Sequence, residues 1–216
     1  MKRPIIHDVS LPLHSDLPVW PGDPSPVIVK HEVTIAGSPL ISSRVSISLH
    51  WGTHVDAPAH FNPEGWTIDL IPPDILTGSV QVIELSGVRQ ITSHILRNLH
   101  LSDAGRYFFK TDNSRFWAEF PLRFHRNFTA FTEDAATYLK SIRSKLIGID
   151  YLSLDLYDAT DLPVHKILFS DNIVGVEGLD LREVSAGMYQ VVCLPLRIRQ
   201  GDGSPARVLL FDNIQD

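Results

Sequence analysis

Cysteine is almost absent from this chain. Cys193 is the only one among 216 residues, so an intramolecular disulfide and a cysteine-rich zinc module are both excluded. Long apolar runs are missing too. No stretch approaches 18 uninterrupted apolar residues, and the opening MKRPIIHDVS has no apolar leader core. A membrane span is therefore not expected, and the cytoplasm is the default location. Positive charge is in deficit: 19 Lys and Arg face 25 Asp and Glu, a net charge of −6. General nucleic-acid binding, which depends on neutralising phosphates, is disfavoured. No G-x-S-x-G elbow occurs, which removes the serine mechanism of α/β-hydrolases. Repeats and low-complexity tracts are also lacking.

What remains is ordinary for a folded protein, with 44% hydrophobic and 20% charged residues. A chain of this length can bury roughly 70% of its unfolded surface, so a single domain over residues 1–216 needs no staple. One ratio stands out. There are ten histidines against the single cysteine, and three of them, His50, His54 and His60, fall within eleven residues. Any transition metal here would be held by imidazole and carboxylate rather than thiolate.

The periodicities predict more strands than helices, not strictly alternating, and hence a mixed α/β fold. Pro18, Pro21 and Pro24 make 17–25 an ordered loop. SSRVSISLH (42–50) alternates, with Val45, Ile47 and Leu49 on one face, and reads as a half-buried strand ending at His50. Strands are expected over 78–85, 106–111, 145–150, 172–179, 189–198 and 206–211. Helices are expected over 91–99, 132–144 with Thr132 as its cap, and 163–169 with proline in its first turn. GDGSP (201–205) reads as a hairpin turn, and RFHRNF (123–128) as a solvated loop. Cys193, flanked by apolar residues, reads as core.

The segment HWGTHVDAPAH (50–60) carries the chemistry. Trp51 and Gly52 rule out an H-E-x-x-H helix. His54 and Asp56, two apart, point the same way in an extended stretch. With His50 they can converge on one divalent ion and leave a position open for water, the pattern of a catalytic zinc site. A hydrogen-bonded polar corner is the competing reading.

That string, followed by Phe61, resembles the signature of the cyclase family of metal-dependent hydrolases, which includes bacterial kynurenine formamidases and isatin hydrolases. The opening HDVSLPLHSDLPVWPGD, LIGIDYLSLD (146–155), PVHKILFSDNIVGVEGLDL (163–181) and CLPLRIRQGDGSPARVLL (193–210) resemble further family blocks, in order. The resemblance implies a swivelling β/β/α arrangement and a homo-oligomer, dimer or tetramer. It implies that His50, His54 and Asp56 bind one metal, that Asp56 can bridge to a second, and that His165 and Glu177 complete the site. It also implies that His60 is the general acid/base and that Trp20 lines a substrate pocket. Read alone, Glu177 also suits a solvent-facing strand end, His165 a satisfied core histidine, and Trp20 simple loop packing. The expected cofactor is one or two divalent ions, zinc first and manganese second. The expected partner is a small-molecule substrate, with no nucleic acid and no membrane.

The implied reaction is hydrolysis of a small amide by a metal-activated water. N-formylkynurenine, giving kynurenine and formate, is the most concrete substrate. Another cyclic amide, lactone or ester is the alternative, as is a catalytically silent metal-binding scaffold. Trp51 stands where formamidases carry a small residue, so it is expected to bear on the shape of the pocket.

Overall fold

In a computed structural model of the chain, residues 5–212 are described. Along the chain run β1 (Ile6–Asp8), β2 (Val27–Ile35), β3 (Ser38–Ser46), β4 (His54–Asp56), α1 (Pro73–Leu76), β5 (Thr77–Leu85), β6 (Gln90–Ile91), α2 (Ser93–Arg97) and β7 (Arg106–Thr111). There follow β8 (Ala130–Phe131), α3 (Glu133–Ser141), β9 (Leu146–Ile149), α4 (Pro163–Phe169), β10 (Val174–Glu177), β11 (Gly187–Pro195) and β12 (Gly203–Asp212). The mixed α/β expectation holds. No helix among the described residues is long and apolar enough to cross a membrane.

The main sheet has the order β1-β12-β11-β5-β7-β9-β10-β4, and β4 pairs back onto β12. Ten-residue β12 makes this closure possible. One of its edges carries β4 at Gly203–Pro205 and β1 at Leu209–Phe211, while the other pairs with β11 along Ala206–Asp212. A ring closed in this way has few free edges.

Period-two alternation sorts the side chains. Val55, Val82, Phe108, Leu146, Val176, Cys193 and Val208 come from seven different strands and share one buried cluster, which fills the ring. Their neighbours Ile83, Tyr107, Phe109, Ile147 and Ile149 point the other way and pack with Leu96 of α2, Leu139 of α3 and Leu168 of α4. β5, β7, β9 and β10 are mutually parallel neighbours. Central strands with both faces covered read as continuous apolar runs, which is why LIGI is easily recognised. Cys193 is fully buried, and burial pushes its thiol up to about 12, so it is core as expected.

Three local expectations are corrected. Of the alternating segment 42–50, only 42–46 are strand, and they belong to an exposed two-stranded ribbon of β2 and β3. β3 ends at Ser46, all nine of its residues are exposed, and His50 lies beyond it in a turn. Alternation signals a strand but does not say whether another layer covers one face. Thr132 occupies the cap position of α3, but its hydroxyl lies against two acceptors, the Ile91 carbonyl and Asp134, instead of accepting from the helix. RFHRNF is not simply solvated: Phe128 is buried and Phe124 packs beside it in an aromatic cluster with Tyr151 and Trp20.

Candidate metal centre

β4 is three residues long and hydrogen-bonded along both edges. Val55 points into the core, so His54 and Asp56 point to the opposite side together, as their spacing predicted. On one flank the register sets Glu177 of β10 directly across from His54. On the other it sets Gly203 of β12 across from Asp56. His165 comes from the buried side of α4. Two local features bring these segments so close. Gly178 has φ +68°, and a Cβ there would lie 2.2 Å from the Gly52 carbonyl oxygen. A Cβ on Gly203 would lie 2.6 Å from Cε1 of His50.

The resulting distances are short. Asp56 Oδ1 is 2.6 Å from His50 Nδ1 and 3.2 Å from His54 Nε2, while Oδ2 is 3.6 Å from His165 Nε2. Glu177 Oε1 is 3.1 Å from His165 Nε2, and Oε2 is 3.5 Å from His54 Nε2. His50, His54 and Asp56 therefore form one group able to hold a metal. Asp56, His165 and Glu177 form a second, and Asp56 is common to both. The five residues that the family resemblance implied are thus brought together from three separate parts of the chain, 50–56, α4 and β10.

The donor set fits a cation. His54 Nδ1 faces the Gly52 carbonyl at 3.1 Å, which makes Nδ1 the protonated nitrogen and leaves the lone pair on Nε2. That Nε2 is buried, has no hydrogen-bond partner, and faces two carboxylates. His165 is oriented the same way, since Nδ1 meets Asp155 Oδ2 at 2.5 Å and Nε2 is turned to the acidic pair. Imidazoles held by their far nitrogen are the usual arrangement of metal ligands. Asp155 also accepts from the Val164 and His165 amides, so it caps α4 while aiming its histidine.

The electrostatics agree. Burial raises the carboxyl of Asp56, but His50, His54 and His165 more than offset this and hold it well below the usual carboxylate range. Burial lowers His165, yet Asp155, Asp56 and Glu177 lift it well above an ordinary imidazole. His50 goes up to about 9 because Asp56 and Asp202 outweigh its burial. A divalent cation would take the place of those protons among the same carboxylates. His60 differs. Burial lowers it, His50 and His165 add to that, and the pull of Asp56 and Asp202 does not compensate. These influences favour its neutral form.

His50, Asp56, His60, His165 and Glu177 lie on the wall of a cavity of about 350 Å³, with His54 buried behind them. Trp20, Phe61, Leu152 and Leu162 supply its apolar lining, and His60, Asp23, Ser48 and Asp202 its polar one. Trp20 is held edge-on to Phe124 at 5.3 Å and tilted against Tyr157 at 5.6 Å. Larger clefts between α2 and α3 and beside β1 contain none of these histidines. Trp51, expected to shape the cavity, does not line it. Its indole is buried in the aromatic cluster with Leu17 and Tyr151.

Two site residues escaped sequence reading. Asp202, taken as part of a turn, approaches both His50 and His60. Asp155 stood in a recognised block without an assigned role. A polar residue between two glycines, each with a tertiary reason to lack a side chain, was the available signal for Asp202.

Comparisons with known proteins agree with this geometry. The family model described as Putative cyclase matches residues 7–156. A kynurenine formamidase from Bacillus cereus is 32% identical over 94% of this chain and 95% of its own. Cyclase-like protein 3 of Arabidopsis thaliana is 33% identical over 95% of this chain and 79% of its own. A solved protein described as a predicted metal-dependent hydrolase from Bacillus stearothermophilus superposes with a TM-score of 0.83. It is 34% identical, over 98% of this chain and all of the other. With a family match over most of its length and relatives above 30% identity, the chain belongs to the cyclase family.

Proposed function

We propose that this protein is a divalent-metal-dependent hydrolase that cleaves a small amide, with an aryl formamide such as N-formylkynurenine as its substrate. The observation that carries the reading is the pair of candidate ligand groups sharing Asp56, with His50, Asp56, His165 and Glu177 in the wall of an aromatic-lined cavity beside His60. His50, His54 and Asp56 would hold one ion, and Asp56, His165 and Glu177 a second. Zinc suits the imidazole-carboxylate set, as does manganese. Bound there, the metal would activate a water and polarise the substrate carbonyl.

The chain's own residues supply the rest. Trp20 and Phe61 offer flat apolar surface to an aryl group, of a size that about 350 Å³ admits. Glu177 and Asp56 neutralise the cation. His60, with its pKa lowered and its side chain partly exposed at the cavity, takes a proton and delivers it to the leaving amine. The kinship with the Bacillus kynurenine formamidases supports this substrate over other amides.

The test is an assay of zinc- and manganese-loaded protein on N-formylkynurenine, isatin and simple aryl esters. Turnover of N-formylkynurenine, abolished by chelation and by His54→Ala, is expected. Preference for isatin would redirect the reading to cyclic amides. Inactivity across the panel would refute the substrate, and activity surviving in His54→Ala under chelation would refute the metal.

A further inference from the structure

We infer that Asp202 is a positioning residue that fixes the tautomer and orientation of His60. The inference rests on the hydrolytic reading above, in which His60 carries the proton. Asp202 Oδ2 lies 3.2 Å from His60 Nδ1 and 3.0 Å from His50 Nε2. The two imidazoles stack over one another, with centroids 4.0 Å apart and planes 27° apart. One carboxylate oxygen therefore addresses the adjacent edges of two stacked rings.

For His60 this is the only polar side-chain contact among the described residues. Its ring otherwise meets the stacked His50 and the edge of Phe61 at 4.7 Å. A carboxylate can only accept, so Nδ1 must carry the hydrogen and Nε2 is left with the lone pair. Without that contact, a partly exposed imidazole can adopt either tautomer and flip about its ring axis. A proton carrier with the wrong nitrogen turned to the substrate is silent, however well the metal is held.

Asp202 is itself tightly placed. Its carbonyl accepts from the amide of Ala57 at 2.9 Å, the residue immediately before the turn that ends in His60. The next residue, Gly203, pairs with Asp56. On the other side, a Cβ at Gly201 would lie 2.9 Å from the Ile68 side chain. A merely solvent-seeking turn aspartate has no need of such close backbone approaches on both sides.

Asp202 has a rival role, because His50, His60 and Asp202 together also offer three ligand atoms close enough to hold a cation. The experiment separates the two. In zinc-loaded protein, nitrogen-15 imidazole NMR should show His60 protonated at Nδ1. In Asp202→Asn it should show a mixture or the Nε2 form, with the zinc content unchanged. On the substrate that the wild type turns over, Asp202→Asn should lower kcat about 10- to 100-fold, with KM within about twofold. Asp202→Glu should recover part of the loss. The double variant His60→Ala/Asp202→Asn should be no slower than His60→Ala alone. Loss of zinc in Asp202→Asn would make Asp202 a ligand and overturn the inference. So would an unchanged His60 tautomer, or an additive loss in the double variant. If no substrate is turned over, the proposed reaction fails, while the tautomer measurement still decides the role of Asp202.

Discussion

Replacing Gly178 with alanine strikes the joint between the strands that carry His54, Asp56 and Glu177, and its cost can be worked out. Gly178 follows Glu177, has φ +68°, and receives the Thr53 hydroxyl on its carbonyl. Two penalties apply. A left-handed conformation costs an alanine about 1–2 kcal/mol. The added Cβ would also lie 2.2 Å from the Gly52 oxygen and 2.8 Å from the Gly52 carbon, both backbone atoms that cannot rotate away. The strands must part by about 1 Å, a strain comparable to overpacking and worth about 1–3 kcal/mol. Gly87 supplies the control. Its φ is +69°, and a Cβ there meets nothing within 4 Å, so Gly87→Ala incurs the first penalty alone. Urea unfolding should place Gly87→Ala about 1–2 kcal/mol below wild type and Gly178→Ala about 2–5 kcal/mol below. Because the displacement separates Glu177 from His54, activity in Gly178→Ala should fall about 100-fold even where the protein stays folded. Equal destabilisation of the two variants would refute the claim that backbone contact across this joint demands a glycine.

Two further predictions follow from the polar network. Asp155→Asn leaves one acceptor for Nδ1 of His165 and the two α4 amides, so zinc affinity measured by chelator competition should drop about 10- to 100-fold; an unchanged affinity would remove His165 from the ligand set. Asp150 is fully buried, and burial lifts its carboxyl to about 6 against four donors from Thr111 and Ser114. A folded pKa above the unfolded one means that the favourable contribution is complete below about pH 4 and disappears as pH rises through about 6. The stability of wild type relative to Asp150→Asn should therefore fall by about 3 kcal/mol between pH 4 and pH 7, and a flat or rising difference would contradict it.

Much of the fold is legible because buried parallel strands announce themselves. RYFFKT and PVHKILF match β7 and α4 residue for residue, since an unbroken apolar run and a first-turn proline are local signals. The shared face of His54 and Asp56 on β4 was also legible, since residues two apart on a strand point the same way. What failed was non-local. The exposure of β3 depends on what covers it, and nothing in its own nine residues records that. The placement of Asp202 beside His60 depends on a contact across 142 residues. Phe124 and Phe128 looked solvated because the nearby arginines dominate the local composition, yet Trp20, more than 100 positions earlier, gives them a surface to pack on. His165 and Glu177 looked neutral in isolation. Only the shared order of blocks with a family marked them, and only the register of β10 against β4 explains why a glutamate is tolerated there.

The double pairing of β4 has a wider consequence. A strand clamped on both edges by backbone hydrogen bonds keeps its position whatever stands in the cavity beside it. The backbone placement of His54, Asp56 and Glu177 is accordingly set by sheet pairing, and a cation held there would meet a frame that the fold supplies. This is the reverse of a zinc finger, where the ion creates the structure that holds it. In a frame of this kind, loading or stripping the ion exchanges charge inside fixed walls. The spacing between strands, rather than the intrinsic affinity series of the metals, would then be the gauge for the ion held.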